Sequence, residues 1–149
     1  MGIKEDIAVR SFVDAYHQAT INILFTANWL THILEERASQ QNITLHQFNV
    51  LRILRGKHPK ACTNREIQSK MVERNSDVSR MVNRLVTKGL IHRSKHELDG
   101  RAVALTITDS GLRILDQLEE PMLLGDLLTD RLSENECKQL NALLDKLRG

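Results

Sequence analysis

The chain has 149 residues, of which 41% are hydrophobic, 27% are charged and 3% are aromatic, and its formal net charge is +2. This length suits a single domain with its own core and leaves no room for a second catalytic domain. The composition excludes collagen-like repeats and long low-complexity segments, and no apolar run reaches the roughly 20 residues of a membrane-spanning helix.

The N-terminal segment is predicted to form one long helix. From Glu5 to about Ser39, apolar residues recur every three or four positions, which is the pattern of an amphipathic helix. Residues 20–23 are weaker helix formers, so a bend or break is expected there.

Three later helix starts are marked by capping boxes, in which a Ser or Thr is followed three positions on by Glu or Gln. These boxes begin at Thr44, Thr63 and Ser133. The helix that follows Thr44 is expected to stop between Gly56 and Pro59. The helix that follows Thr63 is short.

The fourth predicted helix has the most regular apolar face in the chain. Ser76 is expected to cap it, and Gly89 is expected to end it. Its apolar face carries Val78, Met81, Val82, Leu85 and Val86. Its other face is polar and carries Asp77, Ser79, Arg80, Asn83, Arg84, Thr87 and Lys88.

After Gly89 the hydrophobic period changes from helical to alternating. Residues 90–94 and 101–108 are predicted to be the two strands of a β-hairpin with a charged loop. Thr108 is expected to cap a fifth helix, which Pro121 either kinks or splits. The predicted fold is therefore mostly α with a small β-hairpin wing. Two short helices, a tight turn and a hairpin make a winged helix-turn-helix, flanked by N- and C-terminal helices.

The charge is concentrated in the middle of the chain. Residues 50–101 hold 13 Lys and Arg against 5 Asp and Glu, a net charge of +8. Residues 1–49 hold 3 against 5, and residues 102–149 hold 5 against 9. This distribution is typical of a module that binds a polyanion, although a basic helix face that is merely solvated would look the same.

The polar face of the fourth helix fits the major groove of DNA. Arg80 and Arg84 lie one turn apart and project together. In the major groove, Arg can contact guanine with two hydrogen bonds and Asn can contact adenine in the same way.

Residues 63–111 resemble the core of the MarR family of bacterial and archaeal transcription regulators. The matching motifs are Ser76 through Ile91 with Arg93, then Asp99-Gly100-Arg101-Ala102-Val103, and then Ile107-Thr108-Asp109-Ser110-Gly111. The Asp-x-Arg of the hairpin, followed by aliphatic-Thr-x-x-Gly, is the most specific of them. Helix order and total length also fit, so the resemblance covers nearly the whole chain.

The resemblance implies a homodimer. The chain is then a single domain, 1–149, in which residues 1–41 and 109–149 form the dimerisation helices. Residues 44–108 form the winged helix-turn-helix lobe that binds DNA. The leucine content of residues 112–147 agrees, because it exceeds what one side of one helix can bury. Two such lobes can contact half-sites one duplex turn apart, about 34 Å.

The resemblance also assigns roles to the wing. By position, Arg101 would enter the minor groove, and Asp99 would hold its guanidinium by a salt bridge. The negative potential of a narrow minor groove suits such an arginine. Gly100 stands where many members of the family have a second Arg. One contact with a DNA phosphate or groove is therefore missing from the family's pattern. An ordinary solvent-exposed ion pair is the alternative.

Three residues at the start of the third helix, Thr63, Asn64 and Arg65, are predicted to bind phosphate, because free backbone N–H groups and the helix dipole favour an anion there. The complete predicted DNA-binding set is Thr63, Asn64, Arg65, Arg74, Asn75, Ser76, Asp77, Ser79, Arg80, Asn83, Arg84, Lys88, Lys95, His96, Asp99 and Arg101.

A small amphipathic effector that releases DNA is a further implication of the resemblance. Residues near the junction of the first two helices are the candidates to line its pocket, although they could equally be ordinary packing residues. They are Trp29, His32, His46 and Phe48.

The two cysteines and the histidines give no strong signal. Cys62 precedes a helix start, where a thiolate is somewhat stabilised. The oxidation-sensing members of the family, however, carry their cysteine in the first helix, which has none here. Cys137 is expected in the core. The histidines form no helical pair, so neither a metal nor a cofactor is predicted.

Enzyme motifs such as a P-loop or a nucleophile elbow are absent from the sequence. The N-terminus lacks the apolar stretch of a signal peptide, so we expect a cytoplasmic protein. The predicted function is a homodimeric regulator, a repressor by family implication, that binds a pseudo-palindromic operator in double-stranded DNA. The alternative is a helical dimeric module that uses the winged-helix fold to bind an acidic protein partner.

Overall fold

The computed structural model describes residues 2–72, 77–95, 98 and 100–149. Within these residues there are eight helices and one two-stranded antiparallel sheet. In chain order the elements are α1 (Ile3–Asp6), α2 (Ala15–Ser39), α3 (Leu45–Lys57), α4 (Asn64–Lys70), α5 (Val78–Thr87), β1 (Ile91–Lys95), β2 (Val103–Ile107), α6 (Asp109–Leu123), α7 (Gly125–Thr129) and α8 (Glu134–Arg148).

The N-terminal helix breaks at a different place from the one predicted. α2 runs without interruption through residues 20–23, so the helix does not break there as the sequence allowed. The break lies between α1 and α2, where Ala8 adopts a positive φ of 52°. Asp14 starts α2 by accepting a 2.8 Å hydrogen bond from the backbone N–H of His17. A side-chain cap of this kind outweighs the few tenths of a kcal/mol by which β-branched residues disfavour a helix.

The three predicted capping boxes are confirmed, and each starts its helix at the expected residue. At α3, for example, the Thr44 hydroxyl accepts the Gln47 N–H at 3.1 Å, and the Gln47 side chain accepts the Thr44 N–H at 3.0 Å. Two backbone donors that the helix itself cannot satisfy are thereby paired.

The start of α5 lies one residue later than predicted. Asp77, not Ser76, is the N-cap, and its carboxylate accepts the Arg80 N–H at 3.1 Å. Gly89 follows the helix with a φ of 74°, a left-handed conformation that glycine adopts without strain, and the predicted end is confirmed.

The predicted hairpin is confirmed, with strands of five residues each. Ile91 pairs with Ile107 at one end, and Lys95 pairs with Val103 at the other. A third segment joins it, because Cys62 and Leu105 exchange backbone hydrogen bonds of 2.9 and 2.8 Å. This bridge fixes the start of α4 against the base of the wing.

The C-terminal helices divide at Leu124. Pro121 lies inside α6, and the chain turns only at Leu124, which is left-handed with a φ of 56°. Arg37 of α2 secures this corner by donating to the Pro121 carbonyl at 2.6 Å and to both carboxylate oxygens of Asp126 at 2.8 Å. None of the described helices is long and apolar enough to cross a bilayer.

The core lies between α3, α4, α5, the hairpin and the first half of α6. Its fully buried residues include Leu51, Ile67, Leu85, Leu105 and Leu115, one from each of these elements. Because α5 contributes only one side to this core, its opposite side is left on the surface of the lobe.

Candidate nucleic-acid interface

Helix α5 is divided into a buried side and an exposed side, as its sequence predicts. Val78, Val82 and Leu85 are at most 4% exposed. The exposed side carries Ser79, Arg80, Asn83, Arg84, Thr87 and Lys88. The apolar contacts thus fix the rotation of the helix, and the polar residues face solvent together.

Arg80 and Arg84 are the cations of α5, and no other described residue holds their side chains. Both are exposed, and neither guanidinium donates a hydrogen bond or forms an ion pair within the described residues. Since they lie four positions apart, they project from consecutive turns of one helix face. Both are available to an external acceptor.

The neighbouring polar residues of α5 are held by other elements. Asn64 of α4 donates from Nδ2 to the Ser79 hydroxyl at 3.5 Å, while its own Oδ1 is buried and unpaired among the described residues. Lys88 donates from Nζ to the carbonyl of Asn42, before α3. α5 is therefore connected at its first turn to α4 and at its C-cap to the segment that precedes α3.

The wing also contacts α5 directly. Arg93 of β1 donates from Nη2 to Oδ1 of Asn83, and both residues are exposed. The sequence-based site did not include Arg93. The signal that could have found it is an exposed arginine on the strand that directly follows α5, within the basic segment.

The start of α4 is occupied by its own side chains. The Glu66 carboxylate accepts the Thr63 N–H at 2.8 Å and the Lys57 ammonium at 2.9 Å. These donors, the ammonium first, hold the pKa of Glu66 below its ordinary value, and the pKa of Lys57 is raised in turn. Because a carboxylate already lies at this helix end, Arg65, which is exposed, is the better placed of the three predicted phosphate ligands.

The predicted wing and turn residues are only partly covered by the structure. Lys95 ends β1, Arg101 lies in the hairpin loop, and both are exposed. Five members of the predicted set lie outside the described residues, and so does the salt bridge expected between Asp99 and Arg101. They are Arg74, Asn75, Ser76, His96 and Asp99.

An open cleft of about 700 Å³ runs between α5 and the start of α3. It is lined by Ser39, Asn42, Ile43, Thr44, Gln47, Asn83, Arg84, Thr87 and Lys88. Two of these residues are cationic and none is acidic. Both cations come from the α5 side of the cleft, while the lining near α3 is neutral.

Of the four predicted effector residues, Phe48 lies in a cleft of the described residues and the other three lie outside that cleft. Phe48 lines a cleft of about 490 Å³ between α2, α3 and α6, but Trp29, His32 and His46 are not part of its lining. Trp29 instead lies beneath the Arg131 guanidinium, 5.3 Å from the ring centroid. Phe48 is also packed against the core.

The expectation that Cys62 has a stabilised thiolate is wrong. Burial raises the pKa of the Cys62 thiol above its ordinary value, and the nearby Lys57 ammonium only partly offsets this effect. Cys62 is 1% exposed, and such a thiol is protected from oxidants. Cys137 is half-buried rather than part of the core.

Known proteins resemble this chain in sequence and in fold. The MarR family model matches residues 43–103. The HTH-type transcriptional regulator BilQ of Clostridium symbiosum is 33% identical over 93 residues, which is 62% of this chain. The matched stretch spans 64% of that relative's own length, less than two thirds.

Two solved structures extend the likeness to nearly the whole chain. A MarR transcription factor from Planctomyces limnophilus is 29% identical, with a TM-score of 0.69, and the match covers 91% of this chain and 98% of the other. A mutant MarR from E. coli complexed with operator DNA is 28% identical, with a TM-score of 0.73 and coverage of 90% and 98%.

Proposed function

The chain belongs to the MarR family, and on that premise we propose that it is a sequence-specific regulator of transcription that binds double-stranded DNA. It acts as a repressor by occupying a pseudo-palindromic operator, and it works in the cytoplasm, where that DNA lies. MarR proteins are regulators rather than enzymes, and the operator DNA bound to the E. coli protein favours DNA over a protein partner.

The observation that carries this proposal is the exposed side of α5. Arg80 and Arg84 stand there with no hydrogen-bond or ion-pair partner among the residues that the structure describes, on a helix whose other side is packed into the core. A helix of this width enters the major groove, and an arginine that is not already paired can donate two hydrogen bonds to guanine.

Other predicted residues complete the proposed interface. Arg65, Lys88 and Lys95 are exposed cations at its edges and would neutralise phosphates, and Arg101 would enter the minor groove. Asn83 would contact a base edge, and Thr63, Asn64, Asp77 and Ser79 would position the helices that carry them. The predicted contacts of Arg74, Asn75, Ser76, His96 and Asp99 remain part of the proposal.

The proposed DNA-binding form is a homodimer built by residues 1–41 and 109–149 around the lobe of residues 44–108. Support comes from the apolar side chains that these helices leave in solvent. The most exposed are Val13 (88%), Tyr16 (84%), Leu123 (71%), Leu143 (66%) and Leu147 (66%). A second copy would cover them and would present two α5 helices to one duplex.

A small amphipathic effector is proposed to bind in the 490 Å³ cleft that contains Phe48. The cleft lies between α2 and α6 on one side and α3 on the other, and Leu34, Leu115 and Met122 give it an apolar lining while Arg52 and Arg55 give it charge. A ligand there would touch both the dimerisation helices and the DNA-binding lobe, so it could change their relative position.

Fluorescence anisotropy with labelled genomic fragments tests the proposed function. Affinity should fall on the order of a thousandfold between 50 and 200 mM salt if about six phosphates are neutralised. Arg80→Ala and Arg84→Ala should each weaken operator binding by about 1–3 kcal/mol and relax base preference. Arg113→Ala, which removes the same charge from α6, is the matched control and should bind like the parent.

Two results would contradict the proposal. Binding that does not depend on salt would mean that phosphates are not contacted. An Arg80→Ala, Arg84→Ala double variant that binds the operator like the parent would mean that α5 is not the DNA-contacting helix. Capture of an acidic protein partner by a chain that binds no DNA would support the protein-interaction alternative instead.

A further inference from the structure

The contact between Arg93 and Asn83 fixes the orientation of an α5 side chain that faces the proposed DNA. A guanidinium can only donate hydrogen bonds, so the Asn83 atom that contacts Arg93 Nη2 is the carbonyl oxygen Oδ1, as the structure places it. The Nδ2 amide group is then the part of Asn83 directed away from Arg93. Both residues are exposed, so this orientation is displayed on the surface.

This orientation changes what Asn83 can recognise. Asparagine contacts adenine by accepting from N6 with its oxygen while donating to N7 with its amide. In this chain Arg93 takes one of the two lone pairs of that oxygen and fixes the rotation of the amide, which turns the oxygen toward the wing. Asn83 and Arg93 together present mainly donors, namely Nδ2–H and the remaining guanidinium N–H groups.

We propose that Arg93 is a positioning residue of the recognition surface, which sets Asn83 to prefer guanine over adenine. Guanine offers two acceptors, N7 and O6, to the major groove, whereas adenine offers one acceptor and one donor. A surface that presents mainly donors is better matched by guanine than by adenine. This inference rests on the proposed function, since it requires α5 to lie in the major groove.

The hairpin is what makes the arrangement possible. Three residues separate the end of α5 from β1, which packs against it. Arg93 pairs with Leu105 in the ladder and so lies on the same sheet face as that buried residue, while its own side chain is exposed. The strand is held by its pairing with β2 and by the Cys62–Leu105 bridge. Arg93 therefore approaches Asn83 from a fixed element rather than from a mobile loop.

Selection of bound sequences from a random DNA pool tests the proposal. The parent should select guanine at one position in each half-site, and Arg93→Ala should select adenine at that same position, because Asn83 is then able to turn both atoms to the base. By anisotropy on the two matched operators, we expect a change in the guanine-to-adenine preference of at least about tenfold. His92→Ala, the adjacent exposed residue of β1, should keep the parent's preference.

A second variant separates positioning from a direct contact by Arg93. Asn83→Ala should lose the preference at that one position, and adding Arg93→Ala to it should change nothing further there, because Arg93 acts through Asn83. If Arg93→Ala does not fold, Asn83→Ala alone decides, since an unchanged selected sequence would overturn the proposal.

The outcomes distinguish this inference from the proposed function. A parent that selects no DNA sequence would overturn both. A parent that selects an operator, together with an Arg93→Ala variant that selects the same bases at every position, would overturn only the role of Arg93.

Discussion

Glu66 shows how one side chain serves two purposes at the start of α4. Its carboxylate accepts the backbone N–H of Thr63 and also pairs with Lys57 of α3. It therefore caps the first helix of the helix-turn-helix and connects it to the helix before. Both contacts favour the charged form, which is why the pKa of Glu66 is lowered.

Glu66→Gln should lower the melting temperature at neutral pH and should lose this effect in acid. A carboxyl whose pKa is lowered by folding contributes stability above its unfolded pKa of about 4.3, and that stability is lost as pH falls through the folded value. Gln keeps an oxygen for the Thr63 N–H but loses the ion pair. We expect the difference from the parent, measured by circular dichroism, to be largest at pH 7 and to shrink toward pH 3.

Glu134→Gln is the matched control for that experiment. Glu134 pairs with Lys138 on the surface of α8 with 83% of its side chain exposed, and such pairs contribute little. A melting difference for Glu66→Gln that stays constant from pH 7 to pH 3 would show that the ion pair is not what stabilises this corner.

The sequence predicts the elements whose bounds depend on a few neighbouring residues. It does not predict the contacts between residues that are far apart in the chain. The starts at Thr44, Thr63 and Ser133 follow from four consecutive residues each, and all three are confirmed. The pairing of Cys62 with Leu105 joins residues far apart in the chain, and no local pattern specifies it.

The same distinction applies to the proposed interface. The exposed side of α5 could be predicted because the spacing of its apolar residues fixes which side is buried. The contact of Arg93 with Asn83, and that of Lys88 with Asn42, depends on how the wing and α3 pack around the helix. Sequence alone could therefore identify the polar residues but not which of them are already occupied.

The junction between the hairpin and α6 depends on a glycine, and its replacement tests the packing. A Cβ at Gly111 would lie 2.6 Å from the Leu90 carbonyl oxygen and 2.7 Å from Ile107 Cγ1. Gly111→Ala should therefore destabilise the fold by about 1–3 kcal/mol, since backbone must move to admit it. Unfolding in urea, followed by circular dichroism, measures the change.

Gly56→Ala is the control, and its expected effect on stability has the opposite sign. Gly56 lies in α3, and a Cβ there would meet no atom within 4 Å. The added methyl group should raise helix propensity and stabilise the protein by up to about 1 kcal/mol. If both variants were stabilised, α6 could not be packed against the hairpin as the structure describes.

Across the whole molecule, most of the exposed large apolar side chains lie outside the basic segment, the exceptions among the described residues being Val72 and Leu98. The basic residues are concentrated in residues 50–101, whereas exposed leucines occur on the C-terminal helices and exposed aromatic and aliphatic residues occur on α2. Soluble monomers rarely expose a large continuous apolar surface. A second copy that covers the terminal helices would leave the basic surfaces of both lobes free for one duplex.

Leu143→Glu tests that assembly, because Leu143 is 66% exposed on α8 and a charge there would be buried without a partner in a dimer. Light scattering should give the 17.0 kDa mass of one chain, where the parent gives twice that value. Operator affinity should fall at least about tenfold, since one α5 then binds without the α5 of a second copy.

Lys138→Glu is the control, because it places the same side chain on the polar side of α8, and this variant should remain dimeric. If Leu143→Glu remained a dimer with the parent's affinity, the two copies would have to meet through a different surface, and the spacing of their α5 helices would not be set by α8.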